Sequence, residues 1–73
     1  TITMVHIFKT SVASKKEVRQ VGSFLNILLP SEEWNFDLED CDKILRVETE
    51  EVAPETVITI LTSQGFYCDE LAG

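Results

Sequence analysis

The sequence predicts an α+β fold: a four-stranded antiparallel sheet with two helices on one of its faces. Three observations lead there. Stretches rich in β-branched and aromatic residues, two of them alternating with period two, occur four times along the chain. Apolar residues recur at helical spacing in two further stretches. The two kinds follow one another in the order β-α-β-β-α-β within 73 residues, which is enough chain for a single domain, 1–73. A domain of this size buries only about 60% of the surface its unfolded chain exposes, so its stability depends on local signals that agree with one another.

The first strand is ITMVHIFK, residues 2–9, where Ile2, Met4, His6 and Phe8 alternate with Thr3, Val5, Ile7 and Lys9. Apolar residues on both faces suit a central strand. A helix follows over 15–29. Val18, Val21, Leu25 and Leu28 recur at intervals of three, four and three, with Phe24 beside them, and Pro30 ends the run. Its start is marked by Ser14-Lys15-Lys16-Glu17, an S-x-x-E capping box. The Ser14 hydroxyl can accept from the Glu17 amide, and the Glu17 carboxylate can reach back to the Ser14 amide. Gly22 sits inside the helix at a cost of about 1 kcal/mol relative to alanine, which close approach to the sheet would explain.

WNFDLED, residues 34–40, alternates cleanly: Trp34, Phe36 and Leu38 on one face, Asn35, Asp37 and Glu39 on the other. KILRVET, residues 43–49, puts Leu45 and Val47 on the core face and Ile44, Arg46 and Glu48 opposite. Asp40, Cys41 and Asp42 form the turn between them. The second helix runs over 54–64, with Pro54 at its first position, Gly65 at its C-terminal cap and Val57, Ile60 and Leu61 as its apolar stripe. Phe66, Tyr67 and Cys68 lead a short last strand to about Leu71. This element order gives the ferredoxin-like sandwich with strand order 4-1-3-2.

Composition narrows the function. The hydrophobic share of 44% and charged share of 26% describe a globular chain. No apolar run approaches the ~20 residues that span a bilayer, and the short stretch TITMVHIF lacks the basic leader of a signal peptide, so no membrane role is expected. The chain opens on threonine, from which removal of an initiator methionine or a longer segment is expected. Thirteen acidic against six basic residues give a net charge of −7, the wrong sign for nucleic acid. The one basic cluster is Lys15, Lys16 and Arg19, with Lys9 before it, whereas acid concentrates at Glu32, Glu33, Asp37, Glu39, Asp40, Asp42, Glu48, Glu50 and Glu51. Such a face solubilises the chain or meets a protein partner with a basic surface. Two cysteines are too few for a secreted disulfide scaffold, and a cytoplasmic setting is expected.

The chain resembles the heavy-metal-associated domain family, the fold of copper chaperones and of the N-terminal modules of metal-pumping ATPases. The likeness spans nearly the whole length. It rests on element order, size, the helix stripe Val18, Val21, Leu25, the hairpin FDLEDCDKILRV, and Gly65-Phe66 where the family has Gly-Tyr or Gly-Phe. The family's M-x-C-x-x-C motif falls here on Val12, Ala13, Ser14, Lys15, Lys16 and Glu17, so Ser14 and Glu17 replace both cysteines. A soft ion such as copper(I) wants thiolates, and the capping box and the adjacent lysines oppose cation binding there. The resemblance therefore implies the family's fold with a degenerate metal site.

Cys41 and Cys68 are the remaining metal candidates. Both belong at the end of the sheet that carries Ser14. In order 4-1-3-2 they stand two to three strand spacings apart, roughly 10–14 Å, too far for a disulfide or for one ion held within one chain. Cys41, flanked by Glu39, Asp40 and Asp42, is expected to be a poor nucleophile, and Cys68 a small core hydrophobe. His6 is expected on the open sheet face or at a dimer contact. That face would collect Met4, His6, Phe8, Ile44 and Arg46 in one register, or Val5 and Ile7 in the other. Asp37, Glu39, Asp40 and Asp42 lack the spacing of a calcium loop. No nucleophile-base-acid set and no glycine-rich phosphate loop occurs, so the chain is read as no enzyme and with no cofactor.

Three functions remain. The first is a small non-enzymatic interaction or accessory module with a degenerate metal site, binding a basic protein surface or associating with itself. The second is a metal carrier with non-standard ligands for a weakly held transition metal, such as Cys41 from two chains or Cys68 with His6. The third, by fold analogy alone, is an ACT-like small-molecule regulatory module.

Overall fold

The computed structural model describes residues 4–39 and 41–71, without the side chains of Met4 and Ser31. The expected strand residues Ile2 and Thr3, and Asp40 of the expected turn, lie outside them. Strand β1 (Met4–Thr10) leads to helix α1 (Lys15–Leu28), a short 3-10 turn (Ser31–Glu33) and strand β2 (Trp34–Asp37). Strand β3 (Ile44–Thr49), helix α2 (Pro54–Ser63) and strand β4 (Cys68–Glu70) complete the chain. The four strands form one antiparallel sheet in the order β2-β3-β1-β4, the predicted order read from the other edge.

Register decides which residues face the helices. Phe8 lies opposite Leu45, and His6 opposite Val47. Because directly paired residues share a face, Phe8, Leu45 and Val47 all turn inward and are fully buried. Trp34 and Phe36, opposite Val47 and Leu45, extend the same face to the β2 edge. Val12, Val21, Leu25 and Leu29 close the core from the α1 side, and Val57 and Leu61 from α2. The open face carries Val5, Ile7 and Lys9 from β1 with Glu48, Arg46 and Ile44 from β3. This corrects the expected grouping: His6 and Phe8 belong with the core, and Ile44 and Arg46 share the open face with Val5 and Ile7.

Two local devices shape α1. Ser14, extended at φ −133°, caps the helix by accepting at Oγ from the Glu17 amide at 3.1 Å. Glu17 Oε1 reaches back to the Ala13 amide at 3.0 Å and also accepts from the Ser14 hydroxyl at 3.3 Å. The reciprocal half of the capping box thus lands one residue earlier than expected. Gly22 is buried beneath the indole of Trp34: a Cβ built on it would stand 2.6 Å from Trp34 Cη2. Trp34 Nε1 donates to Asn26 Oδ1 at 3.0 Å, which holds the ring across the helix. Helix α1 therefore approaches the sheet at a point where only hydrogen fits.

The stripe of α1 differs from the expected one at its end. Leu29 leaves the helix in an extended conformation, φ −132° and ψ 136°, and drops into the core. Leu28, expected on the stripe, and Phe24, expected beside it, lie at the surface. At the end of α2, Gly65 takes φ +88°, the left-handed conformation that favours glycine.

Candidate functional site

The end of the sheet that carries the β1–α1 loop is tied together by backbone. The Thr10 amide donates to the Asp42 carbonyl at 3.2 Å, and the buried Thr10 hydroxyl donates to the Lys43 carbonyl at 2.6 Å. Thr10 Oγ1 also accepts from the Val12 amide at 3.2 Å. On the other side of β1, Ser11 and Tyr67 exchange two bonds. The Ser11 amide donates to the Tyr67 carbonyl at 3.2 Å, and the Tyr67 amide to Ser11 Oγ at 2.8 Å. The loop, the β2–β3 turn and the start of β4 therefore share one end of the molecule. Ser14 Oγ and Glu17 Oε1 are engaged there in the helix cap.

Cys41 is exposed in the β2–β3 turn, and Cys68 is buried opposite Thr10. Since Asp42 bonds Thr10 from one side and Cys68 pairs with it from the other, β1 runs between the two cysteines. Two strand spacings amount to about 10 Å. Burial, with a smaller push from the charge of Asp69, raises the Cys68 thiol to about 12. It is an inert core thiol near neutral pH.

His6 lies on the helix side of the sheet and not on the open face where it was expected. Its side chain is only 12% exposed, and Nδ1 stands 2.9 Å from Glu70 Oε2. The register puts Cys68 level with Thr10, four residues along β1 from His6, or about 13 Å. His6 and Cys68 are therefore not neighbours. Among the described residues no three His, Cys, Asp or Glu side chains gather as metal ligands would. The acidic side chains near the turn have local partners: Asp37 Oδ1 accepts from the Glu39 amide at 3.1 Å, and Asp42 stands 3.5 Å from Lys9 Nζ.

Two surface features had no clear signal in the sequence. The first is a ridge on the second half of α1. Phe24, Ile27 and Leu28 are 47%, 75% and 49% exposed, and at offsets of three and four residues they are neighbours on the helix surface. Leu28 also forms one wall of an open hollow of about 410 Å³, with Pro30, Glu33, Thr49, Glu50 and Glu51 around it. Large apolar side chains thus meet a carboxylate-rich rim. The second feature is a groove of about 500 Å³ between the start of α1 and strand β2, lined by Lys15, Val18 and Arg19 of the helix and by residues 34–36 and Leu38 of the strand side. The ridge was hidden because Leu28 read as part of the buried stripe with Phe24 beside it, and the groove because it forms between separate elements of the chain.

No helix among the described residues is long and apolar enough to cross a membrane. Comparisons with protein-family models, with curated proteins and with solved structures each return no match to this chain.

Proposed function

We propose that this chain is a non-enzymatic interaction or accessory module of the kind its resemblance to heavy-metal-associated domains implies, with the metal site degenerate. Its docking surface is the α1 ridge of Phe24, Ile27 and Leu28, and its partner is a protein with a basic surface. The observation that carries this reading is the contiguity of that ridge with the hollow rimmed by Glu33, Glu50 and Glu51. Contiguous large apolar side chains cost free energy in water and mark contact surfaces, and carboxylates around such a centre select cationic partners. The net charge of −7 favours basic proteins and disfavours nucleic acid. The reading places the chain in the cytoplasm, where Cys41 and Cys68, on opposite sides of β1, would remain reduced.

A photoreactive phenylalanine analogue at position 27, expressed in the protein's own cells, tests this. Cross-links to a protein with a basic surface, lost in Phe24→Ser and absent when the analogue replaces Val5, are the expected result. Cross-linking at position 27 no stronger than at position 5 contradicts the proposal. A stoichiometric copper(I) or zinc complex that survives a competing chelator does so as well.

A further inference from the structure

We propose that the groove between α1 and the edge strand β2 binds an extended segment of another protein by strand addition, with an acidic side chain of that segment held by Lys15 and Arg19. This surface is distinct from the Phe24–Ile27–Leu28 ridge. At about 100° per residue the two sets lie on widely separated sides of α1, so either can fail without the other.

Strand β2 is an edge strand, paired with β3 alone through Trp34–Val47, Asn35–Arg46, Phe36–Leu45 and Asp37–Ile44. Alternate residues of an antiparallel edge strand direct their N–H and C=O away from the neighbour, which makes a template for one further strand. The groove lies alongside that edge. Trp34 is drawn across Gly22 by its bond to Asn26, and its indole meets Phe36 edge-on at 6.0 Å between ring centroids. That arrangement leaves Val18, Phe36 and Leu38 partly uncovered as a floor beneath the first turns of α1.

Charge identifies the occupant. Lys15 and Arg19 line the groove, and Lys16 stands between them in sequence at the start of the helix. Lys15 and Lys16, in the first turn of α1, oppose the macrodipole, and Arg19 follows in the second turn. Among the described residues neither Lys15 nor Arg19 has an ion-pair partner. In a chain of net charge −7, Lys15 and Arg19 therefore stand without an ion-pair partner among the described residues, on the rim of an apolar groove beside an open strand edge, with Lys15 at the unfavourable end of its helix. A carboxylate from outside answers all of these at once. The opposite side of the added strand would lie beside Asp37, which is exposed on the open face. That side disfavours acid. The occupant is thus an extended segment with an acidic and an apolar residue at alternate positions on its groove side and neutral or basic residues on its other side. A second copy of this chain pairing through β2 is disfavoured, because it brings the acid-rich WNFDLE stretches of both copies together.

Selection from a random displayed-peptide library, followed by titration of the recovered synthetic peptides into isotope-labelled protein, tests the proposal. The expected result is enrichment of the acidic-x-apolar pattern, with amide shifts concentrated in β2 and residues 15–19. Methylating every second backbone nitrogen of the peptide should abolish binding in one phase and spare it in the other, as strand addition requires. Lys15→Glu combined with Arg19→Glu should weaken binding about tenfold or more, and selection on that variant should recover basic residues in place of acidic ones. Failure to enrich the pattern, shifts centred elsewhere, insensitivity to either methylation phase, or self-association through β2 would each overturn it.

Discussion

Replacing Gly22 with alanine sets two effects of opposite sign against each other. Removing a glycine from a helix interior returns about 1 kcal/mol. Against it, the new methyl would lie 2.6 Å from Trp34 Cη2 and 3.0 Å from Cζ2. Any shift of the ring disturbs two contacts: the bond from Nε1 to Asn26 and the T-shaped packing with Phe36. Overpacking of this kind costs about 1–3 kcal/mol, and losing the indole hydrogen bond adds roughly 1 kcal/mol. The balance is a net loss of about 1–3 kcal/mol, so a 2 kcal/mol loss lowers Tm by roughly 8–16 °C in a domain of this size. Trp34 is the only tryptophan, so urea unfolding followed by its fluorescence reads stability and ring environment together. Gly22→Ala should lower the urea midpoint and red-shift the native emission. In a Trp34→Leu background, followed by circular dichroism, the same substitution should stabilise by up to about 1 kcal/mol, because only the propensity term remains. Stabilisation by Gly22→Ala in the wild-type background with unchanged emission would refute the packing of α1 against Trp34.

Ser14→Ala removes the acceptor of the Glu17 amide and should cost about 1 kcal/mol, seen as a lower urea midpoint and faster hydrogen exchange in the first turn of α1. Thr10→Val keeps the shape but leaves the Lys43 carbonyl and Val12 amide without their partner, at a cost of about 1–3 kcal/mol by chemical denaturation. Cys68 gives a pH signature. Its native thiol titrates at about 12 against 9.0 when unfolded, so its contribution to stability is complete below pH 9 and is lost as pH rises from 9 towards 12. Cys68→Ala should flatten that alkaline decline. A thiol reagent at pH 8 should modify one cysteine of the native protein, Cys41, and both in denaturant.

Much of the fold was legible because its signals are local. The capping box at Ser14 needs residues three apart, and the strands at 34–37 and 44–49 carry strict alternation. Gly22 in an otherwise good helix pointed to a close approach, though nothing local named Trp34 as the residue approached. What failed needed non-local information. β1 is apolar on both faces, so alternation could not say which face holds His6; pairing of Phe8 with Leu45 decides it. Leu28 and Leu29 both fit helical spacing within the expected boundaries. Ending the helix at Leu28 sends Leu29 inward and leaves Leu28 outside, while Phe24 lies at the margin of the buried Val21–Leu25 face. The one-residue difference in where α1 stops thus concealed the exposure of Leu28. The absence of cysteine from residues 1–40 was readable directly, and so was the cap that Ser14 and Glu17 form.

Native mass spectrometry of the untagged protein from its own cells tests the interaction-module reading most directly. A metal-free mass is predicted, found together with a basic protein partner and reduced to the lone chain when Ile27 is replaced by aspartate. A lone chain carrying one firmly held copper or zinc ion, released by Cys41→Ser or Cys68→Ser, would contradict it.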